Sequence, residues 1–439
     1  MNEAALEVSR DDVASGDGVC SQSDEHALIR FAKIGSSGVR RVELPQGRSF
    51  ESAVALSESG RTYGASEYER DWLRSSTAPP ANVGGRKVRI GDAFCGGGIF
   101  SLGVDEALRA IGACPEHVFG LDFNADAIEA FRENFPESYS LHADITQVVT
   151  GSFGGRQTGE ERSFLKALGG GVDILVAGPP CQGHSDLNNH TRREDPKNSL
   201  YFSIARMAEL LKPEFVLIEN VPGVVHDKGS VVDRTAKALE KLGYYISSRL
   251  VDLKSLGVPQ KRKRFILVAS KKAPVDLASA VAVSGSDPRS IAWAINDLRE
   301  AYCDGDIYNS SSKHSSENCR RIDYLFEHDL YELPNRERPP CHRDKAHSYT
   351  SVYGRMRWDD PAPTITGGFG STGQGRFVHP LFRRTLTPHE ACRLQFVPDF
   401  YRFPSGIGRR SMQQIIGNAA PPKLSQTIIL GAAMQGVLL

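Results

Sequence analysis

Between residues 87 and 270, short apolar runs closed by turn residues alternate with amphipathic stretches, and no other feature narrows the possible folds as far. The runs cover 88–91, 118–121, 138–141, 172–177, 215–218, 245–251 and 264–269; the amphipathic stretches cover 125–135, 201–211 and 231–242. Strands alternating with helices predict βαβ units joined into a mostly parallel, doubly wound α/β sheet. Such sheets carry their functional groups on loops at the carboxyl ends of the strands.

The rhythm stops after Ser270. Residues 271–380, rich in Arg, His, Gly and Pro, read as a smaller inserted domain, and 381–439 resumes an ordered pattern that completes the domain begun at 86–270. Residues 1–85 read as a polar, partly disordered extension. Up to Glu25 seven acidic residues accompany one basic residue, and only 63–73 suggests a helix. No apolar run approaches the roughly 20 residues of a membrane span and the N-terminus does not resemble a secretory signal, so a cytoplasmic protein is expected. The eight cysteines lack CxxC pairing, as in reduced proteins. No metal is expected; Cys303, His314, Cys319, Cys341 and His342 form a lesser alternative without standard ligand spacing. The formal net charge of zero leaves any nucleic-acid contact to local basic patches.

Residues 92–103 (DAFCGGGIFSLG) follow the first strand and open into a helix. Gly96 and Gly98 let the backbone turn sharply and approach a ligand closely. The next strand ends in Asp122-Phe123, a carboxylate for ribose hydroxyls beside a ring that can stack on a base, and the third in Asp144-Ile145, suited to an adenine edge. A helix-capping role competes for each aspartate. Three successive strands ending in Asp favour a nucleoside site. The fourth strand runs into Pro179-Pro180-Cys181-Gln182, where the prolines fix the direction of the thiol. A lone cysteine is more often a small buried hydrophobe, but this one stands where such sheets put chemistry. The fifth strand brings Glu219-Asn220-Val221 beside it, and residues 260–264 (QKRKR) lead into the last strand with Arg262 and Arg264 on one face if strand alternation holds. A solvated basic strand end is the plain alternative.

These segments, with 384–395 (RTLTPHEACRLQ) and 417–422 (GNAAPP), occur in the order that resembles the DNA cytosine-5 methyltransferases of the bacterial restriction-modification type, over roughly residues 86–436. The resemblance implies a Rossmann-like S-adenosylmethionine-dependent methyltransferase domain with a target-recognition domain at 271–380. It implies S-adenosylmethionine as cofactor, in a pocket of Phe94, Gly96, Gly98, Asp122, Phe123, Asp144, Ile145, Pro180, Leu200 and Asn418. Cys181 would be the nucleophile, Glu219 the partner of cytosine N3, and Arg264 with Arg262 the contacts to base O2 and backbone. Thiolate addition at C6 makes C5 nucleophilic, and an acid at N3 eases the addition. Ser185, Arg192, Arg193 and Lys197 lie on a loop resembling one that closes over flipped DNA. Thr364, Thr366, Gly367 and Gly368 resemble the end of the recognition domain at the major groove. Arg336, Arg338, Arg343, Lys345, Arg355 and Arg357 would meet phosphates. The implied partners are duplex DNA, bound by a monomer, and a cognate restriction endonuclease. Ile99 stands where the family has a third glycine, His184 follows Gln-Gly in place of an apolar residue, and Phe396-Val397-Pro398 departs slightly from the family's motif.

Three rivals stay open at this level. Amino-methyltransferases carry an aromatic residue where Cys181 stands, RNA cytosine methyltransferases share these motifs, and a non-catalytic DNA-binding relative would have lost one of the reacting residues.

Overall fold

The computed structural model describes residues 28–45, 47–57, 63–80, 82, 84–180, 200–227, 230–344 and 351–438. It opens with an antiparallel sheet of β1 (Leu28–Ile34), β2 (Ser37–Glu43) and β3 (Ser49–Ala55), followed by a helix, Ala65–Arg74. The central sheet holds β4 (Lys87–Ala93), β5 (Cys114–Asp122), β6 (Tyr139–His142), β7 (Ile174–Ala177), β8 (Phe215–Asn220) and β9 (Tyr245–Asp252). Two residues, β10 (Gln260–Lys261), precede its last strand, β11 (Lys263–Ser270), and pair in parallel with β12 (Ala362–Pro363).

The order is β6-β5-β4-β7-β8-β11-β9; β11 alone runs against its neighbours. From β4 the chain builds outward to β6, then returns to build from β7 in the other direction. The crevice at the carboxyl ends of β4 and β7 is therefore the switch point where doubly wound sheets bind ligands. All seven expected strands are present in this sheet. β7 and the first four residues of β8 are buried throughout, which is why they read as unbroken apolar runs.

The C-terminal helix Pro422–Met434, buried along its length, packs on the helix Ile99–Ala110 that follows β4, and the Ser425 hydroxyl donates to Phe100 O at 2.5 Å. Residues 271–285 depart from the expected boundary. Val275 and Leu277 join the main core and Ala280 meets the C-terminal helix, so this stretch belongs with the central sheet. Beyond it the inserted region has its own small core of Ile322, Leu325, Leu333, Val352, Tyr353 and Val378.

The extension also differs from expectation. Residues 28–55 are a sheet, and Val42, Val54, Tyr68, Trp72 and Leu73 enter the main core. The apolar alternation was hidden because Arg40 takes a buried position among them. Its guanidinium meets Glu106 at 3.0 Å, and Glu106 also binds Arg109, whose Nη2 donates to the Tyr68 hydroxyl at 3.0 Å. Breaking a buried ion pair by removing one partner costs about 3–5 kcal/mol. Glu106→Ala leaves two buried guanidinium groups together and is expected to lower stability by about that much in urea unfolding; a loss under roughly 1 kcal/mol would show that the cluster does not hold the extension.

Candidate active site

After β4 the chain passes through Phe94, Gly96 and Gly98, all at positive φ (60°, 53° and 78°), before the helix at Ile99. A left-handed turn of this kind suits glycine, and Phe94 adopts it as a non-glycine residue. The turn is anchored by Asp122 at the end of β5. One carboxylate oxygen accepts from Gly96 N and the other from Asn124 N, each at 2.9 Å. Capping of the next helix falls to Asn124, so Asp122 is left to hold the turn and to face the crevice. Burial pushes its carboxyl above the usual range, against the backbone donors. Beside it the Phe123 ring is 63% exposed, an apolar face without a cover.

The third strand gives a different result. Asp144 caps the short helix Ile145–Val148, accepting from Thr146 N at 2.9 Å and from its hydroxyl at 2.7 Å, and the Ile145 side chain lies in the core. The capping alternative thus holds for Asp144 and fails for Asp122. Leu200 begins the helix Leu200–Leu211, and Asn418 ends the helix Arg409–Asn418 with its side chain exposed.

At the ends of β8 and β11, Glu219 and Arg264 form an ion pair, Oε1 to Nε at 2.5 Å, with both side chains about nine-tenths buried. Antiparallel pairing sets this up: Glu219 stands opposite Ile266, two residues along from Arg264. A second Arg264 nitrogen donates to Lys263 O at 2.8 Å. Asn220, not singled out in the sequence, accepts from Val221 N at 2.7 Å through its side-chain oxygen and donates to Pro179 O at 3.4 Å. It ties the Pro-Pro turn to the strand carrying Glu219. The signal was its place beside Glu219 at a strand end. Tyr201, also missed, is buried near Glu219 with no hydrogen-bond partner for its hydroxyl among the described residues, and burial followed by that carboxylate pushes its ionisation far up.

Cys181, Ser185, Arg192, Arg193 and Lys197 lie outside the described residues, as does Lys345. Pro180, the last residue before Cys181, is half-buried at the end of the β7 loop. Cys95, within the glycine turn, is a buried thiol whose ionisation burial pushes well up, which makes it a packing residue.

Arg262 is where the structure corrects the expectation. Its side chain is 2% exposed, and it donates to the carbonyls of Ile365 at 2.7 Å and Ala419 at 2.9 Å. It does not stand beside Arg264 at the crevice, because the chain leaves the strand between β10 and β11 and alternation is lost there. The loop with Thr364, Thr366, Gly367 and Gly368 lies against Gln413 and Gln414 of the helix Arg409–Asn418, and the Thr364 hydroxyl donates to Lys261 O at 2.7 Å. Several expected phosphate contacts already have partners: Arg336 the Tyr324 hydroxyl, Arg343 Asp344, Arg355 Asp329 and the Phe326 ring. Among the described residues no group of three or more His, Cys, Asp or Glu could hold a metal ion, and no helix is long and apolar enough to cross a membrane.

Beneath the glycine turn, burial pushes the Asp92 carboxyl up to about 7, although the Ser101 hydroxyl donates to it at 2.7 Å. Between its ordinary value of 3.8 and about 7 the folded chain keeps a proton that the unfolded chain has lost. Its contribution is therefore full in acid and is lost as the pH rises through about 7. Asp92→Asn should flatten the decline of the melting temperature from roughly pH 4 to 7; an unchanged decline would clear Asp92 of that role.

A family model described as C-5 cytosine-specific DNA methylase matches residues 88–431. The chain is 49% identical over 363 residues to the Type II methyltransferase M1.BsuMI of Bacillus subtilis, covering 83% of this chain and 84% of that one. It is 33% identical over 264 residues to the Type II methylase M.HgiDII of Herpetosiphon aurantiacus, covering 58% and 74%. In fold it is similar to a putative DNA modification methyltransferase encoded within an E. coli prophage, with a TM-score of 0.54 at 20% identity, covering 80% of this chain and 99% of that one. With the family matched from β4 into the C-terminal helix and the doubly wound sheet beneath it, this chain belongs to the C-5 cytosine-specific DNA methylases and is a DNA cytosine-5 methyltransferase of the Type II restriction-modification kind.

Proposed function

We propose that the chain methylates C5 of one cytosine in a short duplex sequence, flipped out of the helix and attacked at C6 by Cys181. The observation that carries this reading is the Glu219–Arg264 pair at the strand ends, one strand over from the turn that leads into Cys181. C6 is unreachable inside the base stack, so extrusion of the base is part of the reaction. Addition of the Cys181 thiolate forms the carbon–sulfur bond and drives electrons toward N3, where Glu219 delivers a proton. Arg264, which pairs with Glu219, is assigned to the base carbonyl O2. C5 then carries the reactive electron pair. Loss of the C5 proton to solvent, expulsion of the thiolate and return of the N3 proton to Glu219 restore the ring.

S-adenosylmethionine, when bound, supplies the methyl group as an electrophilic sulfonium. The residues suit it: Asp122 has lone pairs for ribose hydroxyls, Phe123 offers an open ring, and a Cβ at Gly96 would meet no atom within 4 Å. Phe94, Gly98, Pro180, Leu200 and Asn418 border the same crevice in the family's pattern. Ser185, Arg192, Arg193 and Lys197, with Thr364, Thr366, Gly367 and Gly368, are assigned to the DNA. A monomer on DNA, a cognate restriction endonuclease and a cytoplasmic, nucleoid-associated setting accompany this reading, as its likeness to Type II methyltransferases supports.

Expression in a bacterium without its own DNA methylation should mark one short motif with 5-methylcytosine, read by conversion sequencing. Unmodified DNA from cells holding folded protein would sink the proposal. Cys181→Ala is expected to abolish the mark while S-adenosylhomocysteine still binds. Glu219→Gln should lower kcat by about 10²-fold or more, the range for a lost acid, and near-normal turnover would remove Glu219 from proton delivery.

A further inference from the structure

Arg262 and Gln260 sit at a junction that base contact does not explain. Gln260 is fully buried, and its side-chain oxygen accepts from Ile365 N at 2.8 Å while the Arg262 guanidinium donates to Ile365 O at 2.7 Å. One residue of the recognition-domain end is thus gripped at both its backbone polar groups by the segment that leads, two residues later, to Arg264. The same guanidinium donates to Ala419 O at 2.9 Å and Gly417 O at 3.3 Å, on either side of Asn418. Gln260 Nε2 donates to the Gln395 side chain at 2.8 Å, and Gln395 in turn donates to Ile416 O at 2.5 Å. The two clamped segments also touch directly, since a Cβ on Gly417 would lie 2.0 Å from Gly367 N.

We propose that Arg262 is a positioning residue that couples the DNA-recognition segment Thr364–Gly368 to the cofactor segment Gly417–Ala419, and through its own strand to Arg264. The inference rests on the assignments above of those two segments. The chemistry asks for arginine in particular. Its planar fork reaches carbonyls from three directions at once, whereas a lysine ammonium is a single point of charge. A cation this deeply buried persists only where acceptors surround it, and here the acceptors come from both segments. Cofactor binding at Asn418 would then tighten the Ile365 segment, and a wrong DNA sequence would be felt at Arg264.

The test uses the full chain with S-adenosylhomocysteine as probe. Amide exchange in residues 362–370 should slow on binding in the wild type, by about ten-fold, a coupling of the ordinary allosteric size. Arg262→Lys, which keeps the charge, should lose most of that slowing while exchange in β4, β7 and β8 stays as before. Its kcat/KM ratio between the target sequence and a one-base mismatch should fall by about ten-fold on the same scale. Gln260→Met, which leaves the arginine in place, should give a smaller loss of both and serves if Arg262→Lys does not fold. Wild-type protein that binds the probe and marks DNA, with either folded variant equal to it in exchange and discrimination, overturns the inference alone. Wild-type protein that neither binds the probe nor marks DNA overturns the underlying reading as well.

Discussion

The antiparallel pairing of β8 with β11 is the constraint from which the chemistry of this molecule follows. In a sheet otherwise built of parallel crossovers, reversing one strand brings its beginning to the edge where the others end. Arg264 therefore arrives at the same edge as Glu219, a carboxylate and a guanidinium that would each be costly to bury alone. Together they are tolerated at nine-tenths burial, each neutralising the other. The Asn220 amide extends the arrangement to Pro179, so Glu219, Arg264 and the turn that leads to Cys181 are joined in one framework.

Much of this was legible in the sequence because buried parallel strands are apolar on both faces and chemistry gathers where they end. β7 and β8 announce themselves in this way, and the polar residues beyond them are the ones that matter. The failures have physical causes too. β1 to β3 are half-exposed, and their buried positions include Arg40 and Ser52, so no apolar stripe marks them. Asp144 and Asp122 look alike in the sequence, and only geometry shows that Asp144 caps a helix while Asp122 anchors the glycine turn. Arg262 was misread because period-two alternation was carried through a residue at which the strand breaks, which put it on one face with Arg264.

The extension and the inserted domain meet where the linear sequence gives no hint. Trp72 stacks on Phe396 at 6.0 Å and Arg74 reaches Asp297 at 3.0 Å, while the Trp293 indole donates to Ser66 at 3.0 Å. Arg393 joins the same Asp297 to Asp399, and Asp399 N donates to Leu73 O. The helix Ala65–Arg74 is therefore a wedge between the C-terminal segment and the start of the inserted domain. Chain outside the family's matched span thereby packs against both of these segments.

The docking of Pro422–Met434 on Ile99–Ala110 has a consequence for how the protein comes into being. Contacts that join the two ends of a chain are slow to form, because a long loop must be closed before they gain anything. Here they complete the wall behind the glycine turn and set Asn418 across from it. During synthesis the strand-building half emerges first, and its apolar flank stays uncovered until residues 422–434 follow. A chain without Pro422–Met434 would leave the helix Ile99–Ala110 bare on that flank, so the wall behind the glycine turn depends on residues far from it in sequence.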